Sequence, residues 1–131
     1  MAGYRGYIFS RPFLGERVPQ HVQNLVIRDY CQRHGLAYLL SAAEYAMPDS
    51  TLMLRALLRE LPELDGIVAY SLFQLPAATD ARNEVCEIVL QAGKSLHFAV
   101  EGLAMRSVAD RQRIETLWQL RAVLPYCPTR L

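Results

Sequence analysis

Ser10, His21, Glu44 and Glu101 are the residues whose types and placement suit nucleophilic attack or proton transfer. Ser10 directly follows the apolar run Gly6-Tyr7-Ile8-Phe9, and a serine hydroxyl becomes a nucleophile when a nearby base takes its proton. His21 is the available base, with Glu44 or Glu101 to orient its ring. The two carboxylates suit acid/base work as a pair in a partly buried cleft. The spacing carries no triad signature, and a plainer reading stays open beside this one. In it Ser10 bonds loop backbone or a ligand, and the two glutamates cap neighbouring loops. A second set of residues suits ligand binding. Arg11, Arg17 and His21 flank the start of a helix, where unpaired N–H groups and the dipole favour an anion. Gln20, Tyr45, Ser71 and Gln74 add hydrogen-bonding groups near the same edge. Taken singly, the two arginines also read as solvated loop residues, and His21 as an exposed first-turn residue.

Other chemistry lacks its residues. No GxGxxG follows the first strand and no GxxxxGK[ST] occurs, so neither a dinucleotide nor a P-loop nucleotide is indicated. The three histidines have no Cys or His neighbours at ligand spacing, so no metal site and no cofactor is implied. His97, between Leu96 and Phe98, reads as a satisfied core or edge histidine. Cys86 reads as a small buried thiol, and Arg111, Arg113 and Glu115 as a solvated helix face. Cys31, Cys86 and Cys127 are odd in number and far apart, which fits a reducing cytoplasm. The formal net charge is +1 without a basic stripe, which argues against a nucleic-acid partner. No apolar run approaches the ~20 residues of a membrane span, and the N-terminus lacks a signal-peptide core.

The elements that position these residues alternate regularly. Strand-like runs cover Tyr7–Phe9, Ala37–Ala42, Gly66–Leu72 and Ser95–Val100. GIVAYSL is apolar almost throughout, as a strand covered on both faces should be. A first helix starts near Pro19, buries Val22, Leu25, Val26 and Tyr30, and ends at Gly35. A second follows Pro48-Asp49-Ser50, capped by Asp49 or Ser50, with Leu54, Leu57, Leu58 and Leu61 as its buried stripe and Pro62 as its stop. A third runs from Thr79 or Asp80 to Gly93 on Ala81, Val85, Ile88 and Val89. A fourth opens with the capping-box pattern Ser107-Val-Ala-Asp110 and carries Ile114, Leu117, Trp118 and Leu124. Such alternation implies right-handed βαβ crossovers. The expected fold is one α/β domain over residues 1–131. Its mainly parallel four-stranded sheet has the order 2-1-3-4, with helices on both faces. The strand ends then gather Ser10, Arg11, Glu44, Tyr45, Ser71, Gln74 and Glu101 on one edge, where ligands of open α/β sheets sit.

From Gly6 to Leu103 the chain resembles the catalytic domain of serine recombinases of the resolvase/invertase family. The likeness lies in the first strand at Gly6-Tyr7, the helix from Gln20 to Gly35, the stretch LRALLRELPELDGIVAYSLFQL, and NEVCEIVLQAGKSLHFAVEGL. It implies a resolvase-like, flavodoxin-like sheet. It does not imply recombination. Ile8 stands where the family has an arginine before its nucleophilic serine, and Phe73-Gln74-Leu75-Pro76-Ala77 replaces Asp-Arg-Leu-Gly-Arg. Those arginines would stabilise charge on a scissile phosphate, which apolar residues cannot do. The segments SRPFLGERVPQHVQN and EYAMP also look like a family encoded in bacterial surface-carbohydrate gene clusters (sporadic carbohydrate cluster proteins), over nearly the whole chain.

That second likeness implies a cytoplasmic role in making an unusual sugar or glycan. The resulting expectation is a protein that binds a sugar phosphate or nucleotide sugar at the C-terminal edge of the sheet and converts it by isomerisation, elimination or group transfer. The alternative is a non-catalytic assembly or regulatory subunit of a carbohydrate-pathway enzyme. The apolar surface of the fourth helix points to a homo-oligomer. No nucleic-acid or membrane partner is expected.

Overall fold

A computed structural model describes residues 2–123 of the chain. Strands β1 (Tyr4–Phe9), β2 (Tyr38–Glu44), β3 (Gly66–Ala69) and β4 (Ser95–Phe98) alternate with helices α1 (Gln20–Arg33), α2 (Leu52–Glu60) and α3 (Thr79–Gln91). A short strand, β5 (Leu103–Met105), then leads to helix α4 (Val108–Val123). The sheet has the order β2-β1-β3-β4-β5. The first four strands pair in parallel, as the alternation requires, and β5 is antiparallel to β4. The sheet therefore has five strands rather than the four expected. Three residues after a turn at Gly102 give too short an apolar run to be read as a strand.

The faces carry different cores. Ile27, Tyr30 and Cys31 of α1 pack with Ile8, Val68 and Ala99 on one face. Leu54, Leu57 and Leu58 of α2, Val85, Cys86 and Val89 of α3, and Ile114 of α4 share the other with Tyr7, Phe9, Ile67, Leu96 and Phe98. The buried residues of α1 are Gln23, Ile27, Tyr30 and Cys31. Leu25, expected inside, is 59% exposed, because the helix is turned to bury a glutamine. Gly35 ends this helix at φ 68°, a conformation that costs other residues steric strain.

The first strand carries an irregularity. Arg5 pairs with Leu39 and Tyr7 with Ala42, so Gly6 faces both Leu40 and Ser41 across a bulge. A Cβ at Gly6 would collide with Ser41 Oγ and press on Ser41 Cβ at 3.0 Å, so any larger residue there would have to displace Ser41. The bulge turns Leu40 outward and leaves its carbonyl to accept from Arg5 Nε at 2.8 Å.

Helix α4 opens as its sequence pattern indicates. Ser107 Oγ accepts from the Asp110 N–H at 3.2 Å, and the Asp110 carboxylate accepts from the Arg106 N–H at 2.9 Å. Its Arg111 and Glu115 are not a solvated pair. Arg111 bonds Glu87 of α3, and Glu115 holds the buried Arg82. Leu117 and Trp118 pack against the core, while Leu120 is exposed. Leu124 and Cys127, singled out in the sequence, lie outside the described residues. Among the described residues, no helix is long and apolar enough to cross a membrane.

Candidate functional site

The connections leaving β1, β2 and β3 form one edge of the sheet, and each is built from short-range rules. After β1, Phe13 and Glu16 exchange two backbone hydrogen bonds of 2.9 and 3.0 Å around Leu14-Gly15, whose φ angles are 53° and 77°. Two successive positive φ values define a tight hairpin turn, so this polar loop is a fixed miniature hairpin. Its Phe13 ring sits edge-on to Phe9 at 5.6 Å and to Tyr70 at 6.1 Å. After β3, a single 3₁₀ turn at Leu72–Gln74 opens with a capping box between Ser71 and Gln74. GIVAYSL thus ends as a strand at Ala69, and its last residues turn to serve the edge.

Between these loops lies a cleft of about 580 Å³. The rings of Phe9, Phe13, Phe73 and Trp118 line it, with Arg11, Asp49, Thr51 and Gln74 as polar groups. Arg11 lies over the Phe9 ring, 4.1 Å from its centre, and donates to the carbonyls of Tyr45 at 3.0 Å and Met47 at 3.3 Å. It therefore ties the β1 loop to the β2 loop at the cleft mouth.

Gln23 and Gln74 support the cleft from below. Gln23 Oε1 accepts from the Phe9 N–H at 2.9 Å and from Gln74 Nε2 at 2.9 Å. Gln23 Nε2 donates to the carbonyls of Phe9 and Val18. Both side chains are buried, and every strong hydrogen-bonding site that Gln23 has is used. Gln20, expected from the sequence to bind the ligand, is exposed, and it is the buried Gln23 that supports the site. The signal was there in its spacing, since positions 23, 27 and 30 form one helical stripe.

Glu44 and Glu101 perform matching tasks at two strand ends. The Glu44 carboxylate is fully buried and accepts from the Tyr7 hydroxyl, the Ser50 hydroxyl and the N–H groups of Tyr45, Met53 and Leu54. Burial alone would raise its pKa. The bonds from Ser50, Tyr7, Met53 and Leu54 outweigh burial and hold it below the ordinary carboxylate value. Burial, reinforced by the Glu44 charge, pushes the Tyr7 phenol far up. Glu44 thus caps α2 from a neighbouring strand. Neither Asp49 nor Ser50 is the N-cap, a position held by Thr51 without a side-chain bond. Glu101 accepts from the Ser71 hydroxyl at 2.8 Å and the Leu72 N–H at 2.9 Å, so it caps the turn after β3.

Ser10 donates its hydroxyl to the Glu44 backbone carbonyl. Arg17 reaches the Ser10 carbonyl at 3.4 Å, and His21 lies exposed in the first turn of α1. That turn has no side-chain cap and no acidic residue. Of the residues proposed from sequence, Arg11 and Gln74 line the cleft. Ser71 and Glu101 brace its β3 loop, and Ser10 and Glu44 brace its β1 and β2 loops. Tyr45 is exposed and contributes its carbonyl, while Arg17, Gln20 and His21 lie at the exposed entrance to α1.

Arg82 is the other residue that sequence reasoning passed over. It is 1% exposed, and its guanidinium lies 4.2 Å from the centre of the Trp118 ring. It donates to both Glu115 oxygens and to the carbonyls of Pro76 and Ala77. One side chain therefore fastens α4 and Trp118 to the loop that walls the cleft.

No protein-family model matches the chain, and no curated protein matches it. Among solved structures, it is similar to the N-terminal catalytic domain of TP901-1 integrase, with a TM-score of 0.62 at 13% identity, covering 95% of this chain and 99% of that one. The resemblance to the resolvase-like fold read from the sequence is thus found in three dimensions, as a likeness of fold.

Proposed function

We propose that this protein binds a small anionic molecule bearing a ring, of the sugar-phosphate or nucleotide-sugar class, in the cleft at the C-terminal edge of the sheet. The observation that carries this reading is the pairing of four aromatic rings with the Arg11 guanidinium in one cleft of about 580 Å³. Aromatic faces bind the apolar side of a sugar or a base, and a guanidinium binds phosphate oxygens. That the ring is a sugar is the expectation from the likeness to carbohydrate-cluster proteins, although no family model matches the chain, and the reading includes a place in the cytoplasm.

A second reading is a non-catalytic subunit of a carbohydrate-pathway enzyme, with the ligand or a partner docked at this edge. Two observations favour it. The Glu44 carboxylate meets five donors and has no proton to exchange with a ligand at neutral pH. Tyr45, Met47 and Leu52 are exposed apolar residues beside the cleft mouth. Self-association through the exposed Leu120 of α4 belongs with this reading.

A thermal-shift screen with UDP-glucose, glucose 1-phosphate and glucose tests the first reading. A ligand that binds only the folded state raises the melting temperature. The phosphorylated compounds should raise it and glucose should not. If no compound shifts the melting temperature and light scattering shows concentration-dependent association, the second reading stands.

A further inference from the structure

The opposite edge of the sheet holds a second polar cavity. This pocket of about 390 Å³ is lined by Tyr4, Asp65, Gly93, Lys94, Ser95 and Arg106. It sits where β1, β3 and β4 begin and where antiparallel β5 ends. The ion pairs among the described residues are Arg5–Glu60, Arg33–Asp29, Arg55–Glu84, Arg82–Glu115 and Arg111–Glu87. Lys94 and Arg106 enter none of them. Asp65 is the acidic residue of the lining, and one of its oxygens accepts from the Gly3 N–H at 2.9 Å. The lining is therefore net positive, with one carboxylate present.

A buried hydrogen-bond chain runs inward from Ser95. Ser95 Oγ lies 2.9 Å from His97 Nε2, and His97 Nδ1 lies 2.8 Å from the Tyr30 hydroxyl. Ser95, His97 and Tyr30 are 7%, 1% and 3% exposed. Burial, with Arg106 and His34 adding to it, pushes His97 down to about 4, so its ring is neutral near pH 7. Burial pushes the Tyr30 phenol up, so it too is neutral. A neutral imidazole has one N–H and one lone pair, so the chain has two possible directions. In one, Ser95 donates to Nε2 and Nδ1–H donates to the Tyr30 oxygen. In the other, Tyr30 donates to Nδ1, Nε2–H donates to Ser95 Oγ, and the serine hydrogen is free to turn to the pocket. An oxyanion in the pocket selects the second direction.

We propose that this pocket binds the phosphoryl group of a polyol phosphate through Lys94, Arg106 and the Ser95 hydroxyl. His97 and Tyr30 set the direction of that hydroxyl. Asp65 accepts from a hydroxyl of the esterified alcohol, which favours a phosphate monoester over inorganic phosphate. The site lies at the opposite end of the strands from the aromatic cleft and does not rest on the reading given for it.

The test is a titration of the ¹⁵N-labelled full chain with glycerol 3-phosphate and, separately, inorganic phosphate, followed by NMR. Amide shifts are expected at Lys94, Ser95 and Arg106, with the His97 ring nitrogens moving to the Nε2–H pattern. Glycerol 3-phosphate should bind more tightly than inorganic phosphate. Lys94→Gln and Arg106→Gln, both at solvent-accessible positions, should each weaken binding by about tenfold or more, as loss of a hydrogen bond to a charged group does. Arg11→Gln should leave it unchanged. Ser95→Ala should weaken binding and abolish the tautomer change. The proposal is overturned if millimolar glycerol 3-phosphate moves none of these amides. It is equally overturned if the shifts survive both Lys94→Gln and Arg106→Gln, or if Arg11→Gln removes them.

Discussion

Gln74 Nε2 donates to Gln23 Oε1 across 2.9 Å, and this bond joins helix α1 to the turn after β3 beneath the cleft. Gln23 also holds both backbone groups of Phe9, the last residue of β1. Replacing Gln23 with Ala orphans these buried groups, each at a cost of about 1–3 kcal/mol. Urea denaturation should show a loss of at least ~2 kcal/mol for Gln23→Ala. The same change at exposed Gln20 should stay within about 0.5 kcal/mol. Equal effects at the two positions would remove Gln23 from its supporting role.

Glu44 makes stability depend on pH in a definite direction. Its folded pKa is held below the ordinary value of 4.5. A carboxylate lowered in this way contributes its stabilisation above the unfolded pKa and loses it as pH falls through the folded one. The native chain should therefore weaken on acidification below about pH 4.5. Glu44→Gln should be less stable at pH 7 and show a flatter acid limb in denaturant melts. A variant with an unchanged acid limb would show that other carboxylates set it.

Arg82 and Glu115 fasten α4 to the cleft wall. Breaking a buried ion pair by removing one partner strands the other. Arg82→Met should cost about 3 kcal/mol, the low end for such a loss because Glu115 is partly exposed. The chain has one tryptophan, so its emission reports the loosening of Trp118 directly. A red-shifted emission in the folded variant is the expected result, and an unchanged spectrum contradicts the clamp.

Strand cleavage is not expected of this chain. Ile8 is buried in the α1-side core, and Phe73 to Ala77 form the cleft wall rather than a cluster of cations. Incubation with supercoiled DNA should yield neither nicks nor a covalent adduct at Ser10. A phosphoserine-linked adduct at Ser10 would overturn this.

The parallel strands were legible because buried strands read as short apolar runs bounded by turn residues. The stops at Gly35 and Gly93, both at positive φ, and at Pro62 were legible for the same local reasons. The site was less so. Gln23 and Arg82 are polar residues on helices, and a one-dimensional pattern assigns such residues to solvent. Only the packing of α1 under the β1 loop and of α4 against α3 buries them. Glu44 was noticed, but its capping of α2 depends on a strand lying beside a helix start, which spacing alone does not give. The short β5 exists because β4 offers it an edge to pair with.

The direct test of the cleft is a titration of Trp118 fluorescence with UDP-glucose and with glucose 1-phosphate, in the native chain and in two variants. Trp118 lines the cleft, so an occupant there changes its emission. The native chain should show saturable quenching. Arg11→Ala should weaken it by about 1.5–3 kcal/mol, the range for a hydrogen bond to a charged group. Arg113→Ala, on the exposed side of α4, should leave it unchanged. No saturable change with either compound, or equal affinity in the native chain and Arg11→Ala, would contradict the proposed site.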